Sequence, residues 1–349
     1  MRAHRRTTIA STLAAATAVM LLAACGSNAS AGSAEGDGDG ETINIVGFAV
    51  PEAANTAIAE EFVKTPEGEG VQFKTSYGAS GDQSRAVVDG LDADYVHFSV
   101  ASDVTRLVDA GLIAEDWDQG ENAGIVSTSI VVLGVREGNP LGIEDWDDLV
   151  QPGVEIVTPN PASSGAARWN ALAAWGSVIA DGGTEEDATE YINQLFGNVV
   201  SLTNSGRDAT TSFLSGTGDV LLAYENEAIL AAQNGQGFEY VIPETTIKIE
   251  NPGAVLIEAT PAATDWLSFV LSDEGQTQFA LKGFRPLRDD VDFGGVVDGA
   301  ADPNNPFPPV TNLLTVEDDF GSWSELSDTF FDEDTGIVTE AIAASGQAS

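Results

Sequence analysis

The sequence predicts an α/β fold, and three observations carry that reading. Between Glu41 and Ile249, apolar runs rich in Val, Ile, Phe and Tyr alternate with stretches of helical periodicity, the pattern of strands covered by helices. Polar turns of Gly and Ser lead from strand ends into helices, where open α/β sheets hold ligands. A chain of 349 residues exceeds one comfortable core, so two domains are expected.

In chain order, Met1 to Ala24 carries Arg2, Arg5 and Arg6, then an apolar run from Leu13 and small residues just before Cys25. That is the pattern of a lipoprotein signal peptide, too short for a confident membrane span. Cys25 is the only cysteine, so no internal disulfide is expected, and it is the expected lipid attachment point. Acyl chains on Cys25 would tether the protein outside the cytoplasmic membrane. Residues 25 to 40, rich in Gly, Ser and Asp, read as a flexible tether.

Strands are expected at Ile43 to Ala49, Val71 to Tyr77, Tyr95 to Val100, Ser129 to Val135, Val154 to Thr158, Val199 to Leu202 and Val220 to Tyr224. After the second, Gly78-Ala79-Ser80-Gly81 opens a helix expected to turn Val87, Val88 and Leu91 inward. After the fifth, Pro159 and Pro161 forbid a helix until Ser163 or Ser164 caps one. Trp169, Leu172, Ala173 and Gly176 form its buried stripe, and Asp181-Gly182-Gly183 stops it. A third polar turn, with Gly206, opens a short helix before Phe213. A helix start offers unpaired N–H groups and a partial positive charge, so three such starts in one chain point to an oxyanion cradle.

Charge constrains the partner. The chain has 14 Lys and Arg against 55 Asp and Glu, a net −41, which becomes −44 for residues 25–349 once three signal arginines are gone. Nucleic acid is excluded on electrostatic grounds. A small anion is repelled at long range as well, so its binding must come from local dipoles in a dry cleft.

The blocks GASGDQSRAVVDGLDADYV, VREGNPLGIEDWDDLVQPGVEIVTPNPASSGAARWNALAAWG, GTGDVLLAYENEA and FRPLRDD resemble the sulfate-binding proteins of ABC transporters, a family that includes thiosulfate binders. The resemblance runs from about Ile43 to about Phe331. It implies a two-lobe type II periplasmic-binding-protein fold: domain I, residues 41–122 and 240–312; domain II, residues 123–239; and a C-terminal helical segment, 313–349, across domain I. The implied hinge lies near Ser127 to Gly134 and Tyr240 to Thr246. The implied sulfate ligands are backbone N–H groups, a serine hydroxyl and an aromatic donor, falling on Ser80, Ser164, Gly165, Ala166, Gly206 and Tyr224. The family usually has SSGGAR where this chain has Ala166, and Trp where it has Tyr224.

The resemblance implies a monomeric receptor delivering its ligand to an ABC permease, with no cofactor and no catalysis. Two other readings remain. A phosphate or molybdate receptor is one; hydrogen phosphate needs an acceptor, which Asp82 or the Tyr224 oxygen could supply. A serine hydrolase pairing Ser80 or Ser164 with His97, the only histidine after the signal, is the other. Glu225 and Glu227 are expected to satisfy backbone and position Tyr224. No Cys/His cluster calls for a metal, and the acidic run Glu115 to Glu121 reads as solvated surface, with weak Ca²⁺ binding as its alternative.

Overall fold

The computed structural model describes residues 40–347. The signal segment 1–24, Cys25 and all of the tether except Gly40 lie outside the described residues.

The first third of the chain forms three parallel strands, β1 (Thr42–Phe48), β2 (Gln72–Gly78) and β3 (Tyr95–His97), laid side by side as β2-β1-β3. Helices α1 (Glu52–Phe62), α2 (Ser80–Val88) and α3 (Ala101–Asp109) follow them in turn. A long strand, β4 (Ile125–Val135), and a short 3-10 turn then lead to a second set built the same way. It contains β5 (Ile156–Pro159), α4 (Gly165–Ala180), α5 (Glu185–Gly197), β6 (Val199–Thr203), α6 (Gly206–Leu214), β7 (Val220–Tyr224) and α7 (Glu225–Gln233), with its parallel strands in the order β6-β5-β7. The chain returns through β8 (Glu239–Val241) and the long β9 (Thr245–Val255). It finishes with α8 (Pro261–Val270), α9 (Asp273–Leu281), β10 (Asn312–Leu314), α10 (Val316–Asp319), α11 (Trp323–Phe330) and α12 (Ile337–Ala344).

The two sets are joined by β4 and β9, which run antiparallel and exchange partners along their length. β4 pairs with β9 from Ile125 to Ile130 and with β7 from Val131 to Val135. β9 pairs with β4 from Lys248 to Pro252 and with β3 from Gly253 to Val255. Each parallel trio thereby gains an antiparallel fourth strand, and the result is a two-lobe α/β fold. In β4 the exchange falls within the expected stretch Ser127 to Gly134. In β9 it falls beyond the expected Tyr240 to Thr246, a stretch taken up by β8 and the start of β9.

Packing follows the apolar pattern, with informative exceptions. Val46, Val96, Phe98, Val104 and Leu107 form one core between the first sheet and α3, each buried aliphatic or aromatic side chain contributing about 1.5–3 kcal/mol. Of the three apolar residues expected inward here only Val87 is buried; Val88, at the end of α2, and Leu91, just beyond it, are exposed, because the nine-residue α2 covers the sheet along one narrow stripe. α4 is buried on nearly every side from Gly165 to Ser177. It is the central helix of the second set, with more than the single buried stripe its periodicity predicts. β3 stops at His97 and not at Val100, because the Ser99 N–H and C=O bond side chains instead of a neighbouring strand. The C-terminal helices also depart from expectation. Trp323 packs edge-on against Trp169 at 4.8 Å, Phe330 against Trp175 at 5.0 Å, and α12 lies on α5. They cover the large aromatic side chains of α4 and meet the first set through α3.

Candidate anion-binding site

Six loops meet where the parallel strands end. Pro161 and the Asn160 turn deliver the chain to Ser164, the N-cap of α4, which is extended (φ −109°, ψ 120°) and makes no side-chain capping bond. Its N–H is held by the Asn160 carbonyl at 2.8 Å. Its hydroxyl has no partner among the described residues, although the residue is only 3 % exposed. The next N–H groups, of Gly165 and Ala166, belong to the first turn of α4 and pair with no protein acceptor among those residues, as helix geometry requires. The same holds for Ser80, first residue of α2, and Gly206, first residue of α6. Gly206 is followed by a capped turn in which Ser205 accepts from the Asp208 N–H.

These starts are in mutual contact. The Ser99 N–H donates to Ser80 Oγ at 2.9 Å, tying α2 to the β3–α3 loop. A Cβ placed on Gly165 would lie 2.6 Å from Ser99 Cβ, so α4 approaches that loop as closely as a glycine permits. A Cβ placed on Gly206 would sit 3.2 Å from Ala166 Cβ and 3.3 Å from Val50 Cγ2, which brings α6 against α4 and the β1–α1 loop. Tyr224, at the end of β7, bonds Ser99 Oγ through its hydroxyl at 2.7 Å. Across the cleft the Gly81 N–H donates to the Ser163 carbonyl at 2.9 Å, and Asn204 Nδ2 donates to Asp82 Oδ2 at 3.0 Å. The structure thus links Ser80, Ser164, Gly165, Ala166, Gly206 and Tyr224 through one continuous set of contacts, with the two sets drawn together.

Several expected roles change. Ser80 Oγ donates to Asp103 Oδ2 at 2.6 Å while accepting from Ser99, so its hydroxyl proton is engaged and only its N–H is left to donate. Tyr224 is buried, which raises its phenol above the usual tyrosine range and keeps it protonated; besides Ser99 it accepts from Asn251 Nδ2 at 3.3 Å. Glu227 forms a two-pronged pair with Arg207, and Glu225 one with Arg285. Neither glutamate hydrogen-bonds the Tyr224 hydroxyl, because each buried carboxylate takes a guanidinium in preference to a neutral partner. Arg207 also donates to the Val50 carbonyl, and Arg168 donates to Pro161 and Ser102. Arg168 faces a separate cavity of about 430 Å³ shared with Arg85 and Arg106. The helix starts therefore present dipoles, with their nearest cations engaged by other groups.

His97 is fully buried between Asn55 on Nδ1 and Ser127 on Nε2, at 3.2 and 3.1 Å. Burial lowers its pKa to about 3. It pairs with neither Ser80 nor Ser164, so neither expected serine–histidine couple forms. Asp82 is half-exposed, held by Arg85 and Asn204. Among the described residues no group of His, Cys, Asp or Glu is arranged to hold a metal, and Glu115 to Glu121 is largely exposed.

Sequence reasoning missed Ser99 and Asn251. Ser99 sits at the carboxyl end of a parallel strand, the position from which ligand contacts come, and its polar side chain in the apolar run YVHFSV is the signal. Asn251 lies on β9 with no motif around it.

Residues 43–285 match the family model described as bacterial extracellular solute-binding protein. The sulfate-binding protein of Synechococcus elongatus is 41% identical over 94% of this chain and 94% of its own. The thiosulfate-binding protein of Pseudomonas aeruginosa is 37% identical over 78% of this chain and 82% of its own. Among solved structures, the sulfate-binding protein SubI from Mycobacterium tuberculosis superposes with a TM-score of 0.78 at 41% identity, covering 84% of this chain and all of that one. With its fold, its converging helix starts and these likenesses together, the chain belongs to the bacterial extracellular solute-binding proteins, in the family of the sulfate- and thiosulfate-binding proteins.

Proposed function

We propose that this protein is an extracytoplasmic receptor that captures sulfate or thiosulfate and delivers it to an ABC permease, without chemistry of its own. The observation that carries the reading is the convergence of the unpaired N–H groups of Ser80, Gly165, Ala166 and Gly206 with the free Ser164 hydroxyl. Five donors on a dehydrated dianion, each contributing about 1.5–3 kcal/mol, replace its water shell without a cationic side chain. Ligand contacts would come from residues 41–122 and 240–312 on one side and 123–239 on the other, so binding favours the closed cleft. Phosphate fits less well: Asp82 is turned outward to Arg85 and Asn204, so it offers no acceptor for the proton of hydrogen phosphate.

Calorimetric titration with sulfate, thiosulfate, molybdate and phosphate tests this directly. Sulfate or thiosulfate should bind most tightly; preference for phosphate would overturn the reading. The receptor acts as a monomer, held to the membrane by lipid on Cys25. Cys25→Ser should release it from the membrane fraction, and retention of that variant after a salt wash would sink the anchor.

A further inference from the structure

We infer that Ser99, and not Tyr224, supplies a second hydroxyl donor to the bound anion beside Ser164, its proton aimed by a buried hydrogen-bond chain that begins at His97. The inference rests on the receptor reading above and sharpens it.

The direction of every bond in the chain follows from one carbonyl. The group 3.0 Å from the Ser99 carbonyl is a side-chain atom of Asn251. A carbonyl only accepts, so that atom is the amide nitrogen, and the Asn251 oxygen faces the other way, toward Ser127 Oγ at 3.3 Å. Ser127 must then give its proton to Asn251, which leaves its lone pair to accept from His97 Nε2 at 3.1 Å. His97 is therefore the Nε2–H tautomer, and its Nδ1 accepts from the Asn55 amide at 3.2 Å.

Running the other way, Asn251 Nδ2 also donates to the Tyr224 oxygen at 3.3 Å. With that acceptor position filled, the Tyr224 hydroxyl directs its own proton to its other partner, Ser99 Oγ, at 2.7 Å. Ser99 Oγ then accepts from Tyr224 and has no other partner among the described residues, so its proton is free. Ser99 lies beside the start of α4: a Cβ on Gly165 would come within 2.7 Å of Ser99 Oγ. Tyr224 is a positioning residue, and Ser99 delivers its effect.

The chain gives Ser99 one sense only. Were Ser99 to accept a proton from a ligand through its second lone pair, its own buried proton would be turned away from the ligand with no acceptor among the described residues, since the Tyr224 oxygen already takes the Asn251 amide and spends its proton on Ser99. Sulfate and hydrogen phosphate carry the same charge at mildly alkaline pH and differ by one proton, so the oriented Ser99 hydroxyl favours the oxyanion that carries none.

The test uses the full protein, with sulfate and inorganic phosphate titrated at mildly alkaline pH into the parent, Ser99→Ala and Tyr224→Phe. Ser99→Ala should weaken sulfate about ten- to a hundredfold. Tyr224→Phe keeps the Ser99 hydroxyl but releases its orientation. Sulfate should then weaken by only about two- to fivefold, while the sulfate-to-phosphate preference falls by about tenfold. Independently of ligand, the ¹⁵N resonances of His97 should report the Nε2–H tautomer. Parent-like sulfate binding by Ser99→Ala, with a large loss in Tyr224→Phe, would make Tyr224 the donor and overturn the relay alone. An unchanged preference in both variants, or the Nδ1–H tautomer, would also overturn it. A parent that binds neither anion removes the receptor reading and the relay together.

Discussion

Gly165→Ala probes the tightest contact in the site. The added methyl would stand 2.6 Å from Ser99 Cβ, 2.7 Å from Ser99 Oγ and 3.2 Å from Val100 Cγ1. Carbon atoms pack at about 3.5–4.0 Å, so the first turn of α4 must retreat from the β3–α3 loop by roughly 1 Å. Overpacking of this kind costs about 1–3 kcal/mol of stability. At about 2–4 °C per kcal/mol for chains somewhat shorter than this one, the melting temperature should fall by several degrees. The retreat also carries the Gly165 and Ala166 N–H groups away from Gly206. Losing one charge-assisted bond, about 1.5–3 kcal/mol, should weaken sulfate at least tenfold. Thermal unfolding and calorimetry on the single variant, on Ser99→Gly and on the double variant complete a cycle. Ser99→Gly removes the two nearest atoms, so the double variant should recover stability with a coupling of about 1 kcal/mol or more. Parent-like stability and affinity in Gly165→Ala, or strict additivity in the cycle, would refute the claim that Ser99 sets the spacing.

Four further outcomes are expected. Ser164→Ala should weaken sulfate by about 1.5–3 kcal/mol, and chloride at moderate concentration should leave parent affinity unchanged or slightly better, because the net −44 of residues 25–349 is distant and screenable; a steep loss of affinity with salt would contradict this. The His97 pKa, lowered by burial to about 3, lies below its unfolded value of about 6.5. Its contribution to stability is therefore complete above the unfolded value and is lost as pH falls from there toward 3. Within that window His97→Gln should flatten the stability–pH slope by up to about 1.4 kcal/mol per pH unit, and parallel slopes in urea titrations would disprove it. Trp323 is half-buried against Trp169, so Trp323→Ala should cost less than the about 3–5 kcal/mol of a fully buried tryptophan, read by chemical denaturation; no change would mean that the C-terminal helices add nothing to α4.

The parts of the site that sequence made legible are those written in local chemistry. Pro161 and Ser164 fix where α4 can begin, and Gly165 and Gly206 mark backbone packed tightly against side chains of neighbouring segments. Strand positions were legible for the same reason, with ends displaced by a few residues where main-chain groups turn to side chains, as at Ser99. What remained hidden depends on partners far along the chain. Glu225 and Glu227 looked like local braces because nothing near them in sequence announces Arg285 and Arg207. Val88 continues an apolar pattern into solvent, and the helices after residue 315 carry no mark of which lobe they cover. Asn251 orients the donors only because two strands separated by more than a hundred residues lie side by side.

The exchange of partners in β4 and β9 also bears on how the chain reaches its folded state. β3, ending at residue 97, is completed only by Gly253 to Val255, and β7 only by a strand made some ninety residues before it. The first parallel trio does not own all the strands of its sheet. A fragment ending before Gly253 leaves one side of β3 without its neighbour, a row of unpaired N–H and C=O groups open to the wrong partner. Pairings across such sequence distances close late and slowly. The protein should therefore fold as one cooperative unit after its full length is available, remaining compatible with passage through a membrane as an extended chain, and should resist division into two independently stable halves.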